Sequence, residues 1–125
     1  MKRILAAIGL VVCSAGVMAE VRMNGSELLT QCKSAIKVDD KIADQRDQTD
    51  GLFCIGKLQG IMQSTFINAD YLPKERRFCP PKTGFSNIQA ARVVVKYLEE
   101  NPQSLHIHET ALAIHALVLA YPCEK

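Results

Sequence analysis

The sequence predicts an all-α fold, a small disulfide-braced bundle of four main helices arranged as two antiparallel helical hairpins. Three observations point there. Apolar residues recur at helical spacing in four separate segments, and no segment alternates as a half-buried strand does. Asn24 with Glu27, and Ser86 with Gln89, have the spacing of capping boxes. Four cysteines, Cys32, Cys54, Cys79 and Cys123, fall at or near the ends of those segments.

Residues 1–19 read as an export signal. Lys2 and Arg3 make a positive start, Ile4 to Val17 is uncharged and mostly apolar, and Val17-Met18-Ala19 offers a cleavage site after Ala19. The apolar stretch is short for a membrane span, which needs about 20 residues. Val12 is a poor residue to precede a lipid-bearing cysteine, so no lipid anchor is expected at Cys13. The remaining 106 residues, Glu20 to Lys125, make one domain. The whole chain has 15 bases and 13 acids, and losing Lys2 and Arg3 brings it to neutrality. That balance gives no reason to expect nucleic acid as a partner, or a membrane once the signal is gone. The expected location is the periplasm, where thiols oxidise.

The first helix is expected from about Gly25 to Val38, with Leu28, Leu29, Cys32 and Ile36 on one face. Residues 39–50 hold five acids and two bases and read as a polar loop. The second helix is expected from about Gly51 to Asn68, with Ile55, Leu58, Met62 and Phe66 as its buried stripe. Gly56 and Gly60 would leave a flat strip for close approach of another helix. Asp70 to Gly84 is a long connection whose prolines exclude a continuous helix. The third helix opens at Ser86 and runs to about Glu100, its stripe formed by Ile88, Ala91, Val95 and Leu98. Asn101-Pro102 reads as the stop of the third helix and the N-cap and first residue of a fourth. The fourth is expected to reach Ala120, and its apolar later part makes it the expected most buried element.

Four cysteines allow three pairings. In two antiparallel hairpins, Cys32 in helix 1 meets Cys54 in the first turn of helix 2. Cys79 before helix 3 then meets Cys123 after helix 4. The expected bonds are therefore Cys32–Cys54 and Cys79–Cys123. No cysteine pair has the close spacing of a zinc knuckle, so no metal and no cofactor is implied.

Catalytic chemistry finds no support. No serine or cysteine lies in a nucleophile turn, and no glycine loop cradles phosphate. His106, His108 and His115 cluster in the fourth segment. A histidine in an apolar stripe reads first as a buried or capping residue. Binding remains, with two surface candidates. One is the acidic run, including Asp44 and Asp47. The other is the long connection from Asp70 to Lys82, where Tyr71, Lys74, Arg76, Arg77 and Phe78 combine aromatic and basic side chains of the kind enriched at interfaces.

Several stretches resemble the Rap1a/Tai family of immunity proteins. They are Phe78-Cys79-Pro80, Val94-Val95-Lys96-Tyr97-Leu98-Glu99-Glu100-Asn101-Pro102, Leu105-His106, Ala116-Leu117 and Ala120-Tyr121-Pro122-Cys123. Leu28-Leu29-Thr30-Gln31-Cys32 and Cys54-Ile55-Gly56 extend the likeness over almost the whole exported chain. The resemblance implies a periplasmic all-helical protein, often a homodimer, that plugs a peptidoglycan amidase toxin delivered by type VI secretion. It adds His106 as a candidate contact. The chain departs from the family pattern at Lys57, where a tyrosine commonly follows the glycine. It also departs at Gln63 and Ser64, where an aspartate is common. A rival reading from the same residues is a small periplasmic acid-stress chaperone, exposing apolar surface as its histidines and acids gain protons.

Overall fold

The computed structural model describes residues 22–123, so the signal expected at 1–19, with Cys13, lies outside the described residues. Four helices follow in order: α1 (Gly25–Asp39), α2 (Gln45–Ile67), α3 (Asn87–Glu100) and α4 (Glu109–Ala120). Single 3₁₀ turns at Lys74–Arg76 and Pro102–Ser104 punctuate the connections. Among the described residues there is no strand, and no helix is long and apolar enough to cross a membrane.

α1 starts where its cap dictates. The Glu27 amide donates to Asn24 Oδ1 at 3.1 Å, satisfying one of the free donors of the first turn. α3 does the same, its Gln89 amide donating to Ser86 Oγ at 3.2 Å. α2 begins six residues earlier than the sequence suggests, at Gln45 rather than Gly51. The later half of the acidic run is therefore helix and not loop. Its cause is a reciprocal cap: the Asp47 amide donates to Asp44 Oδ1 at 2.8 Å, and the Asp44 amide donates back to Asp47 Oδ2 at 3.4 Å. Aspartate does here what glutamate or glutamine does in the common capping box.

α4 is shorter than expected. Asn101-Pro102 opens a 3₁₀ turn and Asn101 makes no side-chain cap. The chain then runs against the start of α1. Gly25 and Ser26 amides donate to the Ile107 and Leu105 carbonyls, and the Glu109 amide donates to the Met23 carbonyl. These bonds draw residues 105–108 out of helical conformation, and His108 becomes the N-cap, its Nδ1 accepting from the Thr110 amide at 3.3 Å. The buried face of α4 is Leu112, Ala113, Ala116 and Leu117, whereas Leu119 is 60% exposed, so its apolar circumference is only partly covered.

Cross-contacts fix the directions. Lys37 with Asp47, Ala35 with Gly51 and Cys32 with Cys54 make α1 and α2 antiparallel. Gln89 with Tyr121 and Tyr97 with His115 make α3 and α4 antiparallel. α1 packs on all three other helices. The core is Leu28, Cys32, Leu58, Val94, Leu98 and Leu117, all at 0% exposure, with small Ala90, Ala91 and Ala113 letting the helices close in.

The close approach occurs at a different glycine from the pair expected. A Cβ on Gly51 would sit 3.0 Å from the Ala35 Cα, so only glycine lets α1 and α2 meet there. Gly56 and Gly60 face open space, with nothing within 4 Å of a built Cβ. Phe66, expected in the buried stripe, is 50% exposed; Cys54 and Thr65 take its side of the helix inward.

Candidate functional site

The disulfides are Cys32–Cys54 and Cys79–Cys123, with Cα separations of 5.0 and 4.9 Å. Cys54 lies well inside α2 rather than in its first turn, because α2 starts early. The second bond ties the connection between α2 and α3 to the chain just past α4. An antiparallel bridge between Phe78 and Pro122 and the Cys79 amide donating to the Tyr121 carbonyl at 2.7 Å hold the same place.

Around that bond the long connection gains order from aromatic rings. Phe66 of α2 stacks on Phe78 at 5.4 Å between centroids, Phe78 meets Phe85 at 6.3 Å, and Phe85 meets Tyr121 edge-on at 4.9 Å. Offset and edge-on geometry suits the quadrupole of each ring. Phe78 is the anchor, at 3% exposure. Beside this string lies an open cleft of about 720 Å³. Its walls are Phe66, Phe78, Pro80 and Pro122, and its bases are Lys74, Arg77 and Lys82. A second cleft of about 540 Å³ adjoins it, and Lys74, Arg77, Pro122 and Cys123 line both. Arg77 Nε is buried and has no hydrogen-bond partner among the described residues.

The sequence candidates divide between two places. Exposed Lys74 and half-buried Arg77 line the cleft, whereas Tyr71, 87% exposed, and exposed Arg76 do not. Asp44 and Asp47 sit at the far end of α2, a helix of 23 residues, or roughly 34 Å at 1.5 Å per residue. There they serve the fold. Asp47 accepts from the Ser34 hydroxyl at 2.7 Å and from Lys37 Nζ at 3.1 Å. The Ser34 bond leads in holding the Asp47 carboxyl below the usual aspartate range, with Lys37 and the Asp44 amide adding to it against desolvation. His106 is exposed in the turn before α4. None of the three histidines is buried; His108 caps α4 and His115 packs edge-on to Tyr97 at 5.5 Å.

Lys82, the last residue of the connection expected as a candidate surface, lines the cleft although Pro80-Pro81 separates it from the basic run. One feature escaped the sequence. Lys57, the departure from the family's tyrosine, pairs with Glu109: Nζ lies 2.7 Å from Oε2, and the Glu109 side chain is only 6% exposed. The pair fastens the middle of α2 to the first turn of α4, where a carboxylate also suits the helix dipole. No spacing rule links positions so far apart in sequence.

Among the described residues, no three His, Cys, Asp or Glu side chains converge as a metal site would need. The arrangement offers recognition: an apolar cleft with a basic rim, on a rigid disulfide frame. Neither a comparison with curated proteins nor one with solved structures finds a match. A family model described as Rap1a immunity proteins matches residues 24–123, from the cap of α1 to the last disulfide cysteine, and the chain belongs to that family.

Proposed function

We propose that this chain is a periplasmic immunity protein that binds and blocks a peptidoglycan amidase effector of a type VI secretion system. Membership of the Rap1a immunity family over residues 24–123 carries the reading, since an immunity protein acts by binding a protein effector. Two disulfides support an oxidising compartment and therefore export. The mechanism is steric: a preorganised surface fills the effector's cleft, with affinity from a few desolvated anchors rather than from area. The protein itself performs no chemistry in this reading. Self-association belongs to the proposal too, through the α2 face of Phe53, Gly56, Gly60 and Ile67, which helical geometry places together. Phe53 and Ile67 are 55% and 78% exposed on it.

The test is equimolar mixing of the oxidised protein with a peptidoglycan amidase effector of type VI secretion. Co-purification and loss of amidase activity are expected; full activity in the mixture would remove the reading. The stress-chaperone alternative draws no support from the histidines, since all three are exposed and none is packed in the core.

A further inference from the structure

We infer that the cleft beside Cys79–Cys123 captures an extended segment of a protein partner in which a carboxylate side chain neighbours an aromatic or large aliphatic one. The inference rests on the immunity reading and adds to it a receiving contact, a cleft on this protein that holds a segment of the effector beside the surface that enters the effector's own cleft.

Charge complementarity identifies the occupant. From Lys74 to Lys82 the chain carries four bases against one acid, Glu75. None of those four bases forms an ion pair among the described residues, although most other bases of the bundle do. Arg77 differs from the exposed lysines. It is half-buried between two clefts, and its Nε is out of water without an acceptor. A carboxylate arriving at a partly desolvated guanidinium gains more than at a solvated ammonium, and a planar fork binds it in two places.

The walls exclude a small anion as the whole occupant. A phosphate or acetate would meet the bases but is too small to cover the apolar surface of Phe66, Phe78, Pro80 and Pro122 in a cleft of about 720 Å³. Burying that surface requires an apolar group attached to the acid, as in an acidic-aromatic peptide. The cleft is also held in shape before binding. The disulfide, the Phe78–Pro122 bridge and the ring string leave little ordering cost for the protein side.

The test uses ¹⁵N-labelled oxidised protein titrated with a capped Gly-Glu-Phe-Asp-Gly peptide. Saturable amide shifts are expected at Phe66, Phe78, Cys79 and Lys82. Replacing both acids by lysine, or the phenylalanine by alanine, should weaken binding at least tenfold. Arg77→Gln with Lys82→Gln should weaken it about fivefold with an unchanged melting curve. Equal shifts from the lysine peptide would overturn the inference, as would shifts confined to the Phe53–Ile67 face. Saturation of the same amides by inorganic phosphate or acetate at comparable concentration would make this a small-anion site and overturn it also.

A second arm ties the cleft to the effector. Arg77→Glu with Lys82→Glu should raise the amount of protein needed for half-neutralisation of the amidase effector at least tenfold. Neutralisation left intact while peptide binding is lost would overturn the cleft's role and leave the immunity reading standing. A wild-type chain that binds peptide yet neutralises no amidase would remove the reading, and this inference with it.

Discussion

Cys32 and Cys54 meet at 0% exposure inside the α1–α2 interface, whereas Cys79 is exposed and Cys123 half-buried at the edge of a surface cleft. The same covalent bond does different work in the two places. The first lies among Leu28, Leu58 and the other fully buried side chains, where helix packing already specifies the geometry. The second pins the end of an irregular connection with prolines and a single 3₁₀ turn, where backbone bonds are few, to the chain just past α4. One end of the molecule is built for stability and the other for presentation. A difference in surroundings, and not in bond chemistry, separates them.

The largest effects should come from the bonds themselves. On the loop-entropy model, a separation of 22 residues is worth about 3.4 kcal/mol and one of 44 about 4.0 kcal/mol. Loop length alone therefore ranks the exposed bond first. Burial reverses the order, because Cys32→Ala with Cys54→Ala also removes packed sulfur atoms, for a total of about 4–5 kcal/mol. Cys79→Ala with Cys123→Ala should cost about 3 kcal/mol or less, since the connection can loosen without unfolding the bundle. Urea midpoints of the two variants check the ranking, and hydrogen exchange should show protection lost chiefly in residues 69–85 for the second. A larger midpoint fall for the second variant would break the contrast.

Next comes packing along α2, in its middle and at its cleft end. Leu58→Ala, at 0% exposure, should cost about 2–5 kcal/mol. Phe66→Ala, at 50% exposure beside the cleft, should cost about 1 kcal/mol or less while weakening partner binding more than Leu58→Ala does. Thermal melts with parallel binding assays separate stability from presentation. A Phe66→Ala melt as low as that of Leu58→Ala would mean that the ring string is core.

Lys57→Ala tests the joint between the two ends. It strands the Glu109 carboxylate, whose side chain is 6% exposed, but Lys57 is itself 26% exposed and partly screened. The expected loss is about 1–3 kcal/mol, below the range for a fully buried pair. Lys57→Ala combined with Glu109→Gln should recover part of it, because no uncompensated charge remains. A double variant worse than the single would show that the pair is not the reason Glu109 is tolerated.

How much of this was legible follows from the range of each signal. The caps at Asn24 and Ser86 are local and could be read directly, and so were α1 and α3. The cap at Asp44 is equally local, but Asp47 replaces the usual glutamate, so the acidic run looked like loop. Asn101-Pro102 carried a valid start signal that lost to a non-local one, the pairing of residues 105–109 with Met23–Ser26 at the entry to α1. Glycine signalled close approach correctly in kind, yet within α2 the glycine used is Gly51, because only the path of α1 decides which of its glycines meets backbone. The basic half of the candidate surface was visible as a run of residues. Its cleft was not, since the walls come from α2, the connection and the chain beyond α4 together.

The smallest expected effect concerns the structural end alone. Asp47 is held below the usual aspartate range, first by the Ser34 hydroxyl and then by Lys37 and the Asp44 amide. A carboxylate whose folded pKa is depressed adds stability that is complete above its unfolded pKa, about 4, and is lost as pH falls through the folded value. Asp47→Asn keeps a carbonyl for the Ser34 hydroxyl but carries no charge toward Lys37. It should lower the melting temperature slightly at pH 7 and flatten the decline below about pH 4, where the wild-type carboxylate protonates. Partner binding at the cleft, roughly 34 Å away along α2, should stay unchanged. Melting curves from pH 7 down to pH 2 read the first effect, and neutralisation assays read the second. An Asp47→Asn protein that melts normally but neutralises poorly would move the acidic end from the frame of the molecule to its binding surface, and would dissolve the division drawn between the two disulfides.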